Sequence, residues 1–363
     1  MNERFSWRDF DWLLLIAAMV IAGLGVLEVY SATRSSPLED VYLRQILWIG
    51  VGLILLWIAS SIDYHWLVQQ TPTLYVFTLA GLVAVLMFAP VINGARRWLV
   101  IPGFPNLQIS EFAKVMLVLL VARLFADLPR GRLDFRSLTK ACVIFCIPLV
   151  LVLQQPALST SLSYLAILGA GIFMAGLPRK YIVIGLIGAA LAAPVGWFML
   201  SDYQKDRVTS FMDPEADPRG KGYQAMQSKI AVGSGGIWGQ GFAHGTQTQL
   251  RFLPEAHTDF VFASYAEESG FVGVLIALAL YFGLLMRIVN NAQTAADPAG
   301  MQICMAVAAL LLFQLTVNIG MVVNKMPVTG MPLPLMSYGG SNTLTVFILL
   351  GLVNNVRIRR FTN

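Results

Sequence analysis

Residues 11–32 read DWLLLIAAMVIAGLGVLEVYSA, and this stretch decides the class of fold. Its charged side chains are Asp11 and Glu28 alone, and its length matches the roughly 20 apolar residues that a helix needs to cross a bilayer. No pattern of small residues for signal cleavage follows the run, which ends in Tyr30-Ser31-Ala32-Thr33. We therefore expect a retained membrane span.

Composition extends this interpretation to the whole chain. Of its 363 residues, 57% are apolar and 12% are charged, and the mean hydropathy is +0.68. Soluble domains carry about 25% charged residues, so a soluble domain of ordinary composition is excluded. The net charge is +5, but the basic residues are dispersed between apolar runs. This pattern indicates membrane topology and not a surface for nucleic acid, which we do not expect as a partner.

The apolar runs predict an all-α polytopic membrane protein of about ten transmembrane helices. They fall at 11–32, 44–61, 72–92, 110–127, 138–156, 157–176, 180–200, 259–288, 300–324 and 336–356. Only Gln155-Pro156 separates the fifth run from the sixth, where proline is expected to end a helix. We expect one integral membrane domain over 1–363.

Basic residues in the short loops predict the orientation of the chain. One set of loops holds Arg4, Arg8, Arg130, Arg132, Arg136, Lys140, Arg179, Lys180, Arg357, Arg359 and Arg360. The opposite set holds only Arg34, Arg44, Arg96, Arg97 and Lys325. The positive-inside rule then places both termini in the cytoplasm.

One connection is much longer than the others, residues 201–258 between the seventh and eighth runs. In this topology it is a large extracellular loop. Its aromatic and aliphatic residues, such as Phe211, Trp238 and Phe252, favour a partly ordered loop over a disordered one. Its glycines, among them Gly233, Gly235 and Gly236, predict tight turns.

Two charged residues interrupt the fourth run, Glu111 and Lys114 in Ser110-Glu111-Phe112-Ala113-Lys114. At a spacing of three they share one helix face and can neutralise each other. A structural ion pair and a role in lining a water-filled cavity are about equally supported, since charges inside membranes often face such paths. Glu267 and Glu268 pose the same choice, and there we expect structural pairing.

The stretch Phe252-Leu253-Pro254-Glu255-Ala256-His257-Thr258-Asp259-Phe260 leads from the long loop into the eighth run. Thr258 or Asp259 could simply cap the helix that follows. Capping needs one side chain, however, and here Glu255, His257 and Asp259 lie within five residues. A carboxylate so placed could serve as a general base if partial burial tunes its pKa.

Three further features of the sequence bear on the site. Asn93-Gly94-Ala95-Arg96-Arg97-Trp98 suits either phosphate recognition or an interfacial anchor. The Pro- and Gly-rich stretch 327–341 predicts broken backbone that borders a cavity or packs as a re-entrant turn. No spacing of His, Cys and Asp is typical of zinc, whereas Mg²⁺ or Mn²⁺ held by carboxylates and a phosphate would leave no spacing signature. Its ligands stay unknown.

In combination these motifs resemble the SEDS proteins (shape, elongation, division and sporulation) of bacteria. The resemblance rests on 93–98, 110–114, Gly222-Tyr223-Gln224, Gln227-Ser228, 233–236, 253–260 and Ser337-Tyr338-Gly339-Gly340-Ser341. Within the family, Pro327-Val328-Thr329-Gly330 followed by Pro332-Leu333-Pro334 is more similar to the elongation member than to the division member.

The resemblance implies a peptidoglycan glycosyltransferase in the bacterial cytoplasmic membrane that polymerises lipid II on its outer face. It also implies a class B penicillin-binding protein as partner, beside other membrane proteins of the elongation complex. The aspartate that this family requires for polymerisation matches Asp259. We expect substrate-binding groups among Arg44, Arg97, Glu111, Lys114, Gln224, Ser228, Glu255, His257, Thr258, Ser337, Tyr338 and Ser341.

The chain departs from the family pattern at three places, one of which is Asn324-Lys325, where relatives usually have Gly-Leu. Gln155-Pro156-Ala157 stands where relatives commonly have Gln-Pro-Asp, so a carboxylate is absent and a metal assignment weakens. Ile109 replaces a proline that normally starts the fourth span. Two rival functions stay open. Intramembrane charges and interrupted helices also suit a transporter that flips the lipid-linked precursor, and the chain could be a non-catalytic scaffold.

Overall fold

The computed structural model describes most of the chain, and every structural statement below refers to those residues. They are residues 9–34, 38, 40–91, 96–99, 106–128, 133–178, 180–181, 183–184, 187–188, 194, 197–198, 202–213 and 220–360. The seventh expected span, 180–200, lies mostly outside them, and so do residues 93–95 of the motif at 93–98.

The described chain is helical, with one isolated antiparallel bridge between Leu99 and Leu107. The first helices are α1 (Trp12–Thr33), α2 (Val41–Ser61), α3 (Tyr64–Gln69), α4 (Thr71–Phe88), α5 (Ile109–Phe125), α6 (Phe135–Gln154) and α7 (Leu158–Met174). They are followed by α8 (Asp202–Met212), α9 (Lys221–Ser234), α10 (Thr246–Gln249), α11 (Val261–Gln293), α12 (Pro298–Val322) and α13 (Gly340–Ile358).

Seven of the described helices are long and apolar enough to cross a membrane, namely α1, α2, α4, α6, α11, α12 and α13. The all-α membrane architecture is thereby confirmed, while the count of ten spans stays a prediction. The expected break at Gln155-Pro156 is present, because α6 ends at Gln154 and α7 begins at Leu158.

Residues 201–258 contain more helix than their glycines predicted. The segment includes α8, α9 and α10, and α9 runs through Gly233. The glycines with positive φ in this segment, Gly236, Gly239 and Gly241, lie in the turns between α9 and α10. Exposed apolar residues such as Met226 and Ile230 lie one turn apart on α9, so this helix is amphipathic.

Helix α11 is longer than expected because it consists of two helices joined at Gly270. This residue has φ 66° and ψ −167°, which only glycine adopts readily. The segment after α9 fills the break, where Phe271 N donates to Gly236 O at 2.9 Å and Gly241 N donates to Glu268 O at 3.0 Å. Backbone groups freed by the kink are therefore paired with the 235–245 segment.

The centre of the bundle is α13, of whose spanning window 83% is buried, against 17% for α4. Small residues permit its close approach to α2. A Cβ at Gly351 would lie 2.6 Å from Leu56 O, and one at Gly52 would lie 2.6 Å from the fully buried ring of Phe347. Small residues at such contacts are typical of helix packing in membranes.

A buried charge network ties three helices at the end of the bundle that holds the N-terminus of α1. Asp11 is 1% exposed and accepts hydrogen bonds from Arg287 Nε at 3.0 Å, Asn291 Nδ2 at 2.8 Å and Arg357 Nη1 at 3.1 Å. Its own N–H donates to Asn354 Oδ1 at 2.8 Å. Because the carboxylate is fully paired, its burial links α1, α11 and α13.

Two valine substitutions in α2 test this packing. Gly52→Val should lower the thermal unfolding midpoint, since overpacking against Phe347 costs about 1–3 kcal/mol. Gly50→Val is the matched control, because no atom lies within 4 Å of a Cβ at Gly50. Thermal unfolding of both detergent-purified variants gives the comparison, and equal midpoints would contradict the close approach.

Candidate active site

Two distant segments hold each other at the centre of the candidate site. The hydroxyl of Ser337 donates to Thr258 O at 2.6 Å and accepts from Leu333 N at 2.8 Å. Tyr338 N donates to His257 O at 3.0 Å. Segment 253–260 is therefore held by the irregular backbone of 331–338, which packs inside the protein as expected for broken backbone in a membrane chain.

Asn318 on α12 connects the same two segments through its side chain. Its side-chain amide donates to Asp259 O at 2.9 Å and to Met331 O at 2.7 Å, and the residue is fully buried. The sequence interpretation missed this residue. A lone asparagine in an apolar span was the available signal, since such a side chain must find a partner inside the bundle.

The carboxylate of Asp259 and the guanidinium of Arg207 lie on the same side of Gly330. A Cβ at Gly330 would be 3.0 Å from Asp259 Oδ2 and 3.6 Å from Arg207 Nη2. Arg207 is buried and donates to Thr329 O. Gly330 has a positive φ of 66°, so glycine satisfies both the conformation and the space that this arrangement requires.

Arg207 was also missed from sequence. It lies on α8, far from Asp259 along the chain and inside the long connection. A single arginine among many in a polar helix carries no pattern that points to a site. Its role follows from the packing of α8 beside Thr329 and Gly330.

Burial, and to a smaller extent the neighbouring charge of Glu255, raise the pKa of Asp259 to about 6. Three cations oppose these effects, in decreasing order Arg207, Lys221 and Arg97. The carboxyl group is thus poised to exchange a proton near neutral pH in a locally cationic environment. Burial lowers the pKa of His257 below its usual range, although the charge of Glu255 opposes this effect.

A cavity of about 700 Å³ opens beside these segments. It is lined by Arg44, Leu47, Trp48, Trp98, Asn106, His257, Thr258, Tyr338, Gly339 and Gly340. Four of the residues expected to bind substrate therefore come together in its wall, namely Arg44, His257, Thr258 and Tyr338. The next residue, Asp259, is outside this lining, and its carboxylate is on the side of Gly330 and Arg207.

Arg97 is held at the break between α6 and α7. Its Nε donates to Gln155 O at 3.0 Å, and its Nη2 donates to Pro156 O. The next residue, Ala157, is the N-cap of α7 and makes no side-chain cap bond. A carboxylate at position 157 would therefore lie beside the chain segment that Arg97 binds.

Glu111 and Lys114 form a buried ion pair, as the structural interpretation of their spacing predicts. Lys114 Nζ lies 2.8 Å from Glu111 Oε1 and 2.7 Å from Oε2. Neither residue lines the 700 Å³ cavity, so their substrate-binding role stays a prediction. Ser341 is structurally engaged as well, since its hydroxyl accepts from Gln108 N at 2.9 Å.

The two residues of α9 that were expected to bind substrate, Gln224 and Ser228, differ in exposure. Gln224 is partly exposed and accepts from Lys221 Nζ at 3.1 Å, and Lys221 belongs to the cationic surroundings of Asp259. Ser228 is fully buried, and its hydroxyl donates to Val322 O at 3.0 Å. Ser228 thus attaches α9 to the end of α12, and contact with substrate stays a prediction for both residues.

The capping interpretation of Thr258 and Asp259 is wrong. Helix α11 begins at Val261 with Phe260 as its N-cap, and no side chain caps it. Thr258 Oγ1 instead donates to Glu255 Oε2 at 3.1 Å. The chain turns through a left-handed residue at Glu255, φ 52°, so neither side chain is directed at the helix start.

Glu267 and Glu268 are buried, but their partners are N–H and hydroxyl groups and not basic residues. Glu267 accepts from Gln247 N at 2.7 Å and Thr248 N at 3.1 Å at the start of α10. Glu268 accepts from Ala243 N at 3.0 Å and from the hydroxyl of Ser31. Both carboxylates thus hold segment 235–249 against α11, a structural role with different partners from those expected.

Within the described ranges, no group of three or more His, Cys, Asp or Glu side chains has the arrangement of a metal site. Two carboxylates, Glu255 and Asp259, are nevertheless close enough for one charge to affect the other. A divalent cation there would take its remaining ligands from substrate and water.

Comparison with known proteins assigns the family. The profile of the FtsW, RodA and SpoVE proteins, described as "Cell cycle protein", matches residues 11–361. The chain belongs to this family. Members of it are the SEDS proteins that the motifs resemble, and with seven apolar helices in the described part this chain is a multi-pass membrane protein.

Curated family members match over nearly their whole length. Peptidoglycan glycosyltransferase MrdB of Escherichia coli is 40% identical over 367 residues, which cover 99% of this chain and 97% of MrdB. Peptidoglycan glycosyltransferase RodA of Treponema pallidum is 30% identical, covering 97% and 98%. The RodA-type interpretation of residues 327–334 agrees with these relatives.

Solved structures of the family have the same fold. A chain from the structure described as "Structural coordination of polymerization and crosslinking by a peptidoglycan synthase complex" superposes with a TM-score of 0.84 at 32% identity, covering 98% of this chain and 100% of that one. RodA of Thermus thermophilus superposes with a TM-score of 0.74 at 30% identity, covering 98% and 99%.

Removing the amide of Asn318 should loosen the site. Asn318→Leu leaves two buried carbonyls unpaired, which costs about 1–3 kcal/mol, so the thermal midpoint should fall. Gln314→Leu, one turn earlier on α12, is the matched control, because this buried side chain has no hydrogen-bond partner for its Oε1. An equal or smaller loss for Asn318→Leu than for the control would contradict the bridging role.

Proposed function

We propose that this chain is a peptidoglycan glycosyltransferase that polymerises lipid II into glycan strands for cell elongation. Relatives with 30% and 40% identity over nearly full length are named peptidoglycan glycosyltransferases. The observation that carries the proposal is the carboxyl group of Asp259, which has a pKa near 6 and lies among Arg207, Lys221 and Arg97.

Asp259 serves as the general base in this proposal. Its carboxylate takes the proton from the 4-hydroxyl of the acceptor N-acetylglucosamine as that oxygen attacks the anomeric carbon of the donor. The new glycosidic bond forms while the bond to undecaprenyl pyrophosphate breaks, and the electron pair leaves with the pyrophosphate. A pKa near the working pH suits this proton transfer, because the base is then ionised yet still basic.

The departing pyrophosphate gains negative charge, which the surrounding cations stabilise. Arg207 is buried beside Asp259, and its planar guanidinium suits phosphate oxygens. Lys221 and Arg97 add positive charge from α9 and from the break between α6 and α7. Arg44 lies in the cavity wall, where it can contact the substrate headgroup. Lys114 is less suited, since both oxygens of Glu111 hold its ammonium.

A divalent cation, Mg²⁺ or Mn²⁺, is part of the proposal. Glu255 is the carboxylate near Asp259 that would hold it, with substrate oxygens and water as the other ligands, so that Asp259 is left to act as the base. When bound, it would supply further charge neutralisation at the leaving group. Arg207 and Lys221 provide cationic charge at the same place from the chain itself.

The cellular setting follows from the family and from the charge pattern. A chain with a similar fold comes from a peptidoglycan synthase complex, which supports a penicillin-binding protein of class B as partner. The basic loops support an inner-membrane location with both termini in the cytoplasm. Asp259 and the cavity then lie toward the outer face, where the headgroup of lipid II is delivered.

Replacement of Asp259 tests the base. Asp259→Asn should reduce polymerisation of labelled lipid II by about 10²–10⁴-fold, the usual contribution of a general base. Wild-type activity should fall as pH drops through about 6, because protonation then removes the base. Glycan length is measured with the purified penicillin-binding partner present, after equal folding and complex formation have been checked.

The outcomes separate the rival functions. Equal glycan from wild type and Asp259→Asn would remove Asp259 from the mechanism. A lack of glycan from both proteins, with lipid II flipping retained in vesicles, would favour the transporter. If the complex polymerised lipid II equally well with and without the Asp259 carboxylate, a non-catalytic scaffold would be the better description of this chain.

Arg207 has a separate signature in the pH profile. Since Arg207 lowers the pKa of Asp259, Arg207→Gln should move the acidic limb of the pH-rate profile to higher pH and lower the maximal rate. Arg207→Lys keeps the charge and should restore the position of the limb while recovering less of the rate. An unshifted limb in Arg207→Gln would show that the guanidinium acts elsewhere.

A further inference from the structure

A second concave site lies on the exposed face of α6, away from the candidate active site. It is a groove of about 440 Å³ lined by Phe135, Arg136, Thr139, Lys140, Val143 and Ile144. Its wall is almost entirely apolar, and the side chains of two cations, Arg136 and Lys140, border it near the start of α6. These six residues are called the α6 groove below.

The two cations of the α6 groove are available for an external anion. Arg136 and Lys140 are four residues apart, so they lie one above the other on the same helix face. Both are exposed, and neither makes an ion pair with another residue of the described chain. The nearby carboxylate of Asp134 accepts from Ser137 N at 3.2 Å as the helix cap, and in the described chain it forms no ion pair with either cation.

A third cation and two aromatic rings border the same end. The ring of Phe135 lies 6.1 Å from that of Tyr181, and Lys180 Nζ lies 4.8 Å above the Tyr181 ring. Aromatic and basic side chains together are typical of the interface between the membrane and water. The position on the helix agrees, since the spanning helix α6 begins at Phe135.

The apolar part of the groove continues into the membrane. Val143 lies two turns beyond Arg136, about 10 Å deeper along the helix axis. Val143 is 57% exposed, and the neighbouring Phe135 is 62% exposed. The groove therefore combines cations at the level of the lipid headgroups with an apolar channel at the depth of the acyl chains. An anionic phospholipid is complementary to both parts.

We propose that the α6 groove binds an anionic phospholipid, with the phosphate between Arg136 and Lys140 and an acyl chain along Val143 and Ile144. Two donors one helical turn apart can reach oxygens of the same phosphate, and the guanidinium can do so in a bidentate manner. The site is independent of the proposed glycosyl transfer, because none of its residues lines the active-site cavity. It serves to anchor α6 at the membrane surface.

Lipid titration of the purified full-length protein tests this site. Phosphatidylglycerol and phosphatidylcholine are added to the detergent-solubilised protein, and bound lipid is counted by native mass spectrometry. The variant Arg136→Gln with Lys140→Gln should bind phosphatidylglycerol about thirtyfold more weakly, with little change for phosphatidylcholine. Unchanged thermal midpoints establish that both proteins are folded.

The matched control also removes one arginine and one lysine. Arg34→Gln with Lys325→Gln changes two exposed cations that lie at other helix ends, outside the α6 groove. An equal loss in this control would overturn the proposal, since general surface charge would then explain the binding. Displacement of the lipid by free glycerol phosphate would overturn the choice of a phospholipid, and loss of both lipids alike would overturn the role of the cations.

Discussion

The hydrogen bonds between segments 255–259 and 331–338 are the constraint on which the site depends. Neither segment is regular helix, and both lie against an apolar bundle, where an unpaired backbone group costs several kcal/mol. Ser337, Tyr338 N and Asn318 pair these groups with one another. The irregular backbone is therefore stable only in the arrangement that also places Asp259 beside Gly330.

Segment 235–249 is attached to the bundle by a second set of polar contacts. Gly270 interrupts α11, and residues 235–245 fill the break with their own backbone groups. Glu267 and Glu268 accept hydrogen bonds from the same region. Because segment 235–249 is fixed in this way, it can hold α8 and α9 against the bundle. These helices carry Arg207 and Lys221, whose charges act on Asp259.

The carboxylates of the structural and the functional parts of the molecule have different partners. Asp11 is matched by two arginines and an asparagine, and Glu111 is matched by Lys114, so these buried carboxylates are paired with basic groups at close range. Asp259 has the guanidinium of Arg207 near it beside Gly330. Burial and the charge of Glu255 raise the pKa of Asp259 despite this cation, which leaves the carboxylate able to accept a proton.

Local pattern in the sequence was sufficient for the all-α membrane class, the break at Gln155-Pro156, the shared helix face of Glu111 and Lys114 and the concentration of titratable groups at 255–259. Hydrophobic length and short-range spacing decide these features, because each depends on neighbours along the chain. Arg207, Asn318 and the partners of Glu267 depended on contacts between residues far apart in sequence, and so did the failure of Thr258 and Asp259 to cap α11. Only the tertiary structure decides such contacts, because the direction of a side chain is set by the packing of helices that no local pattern specifies.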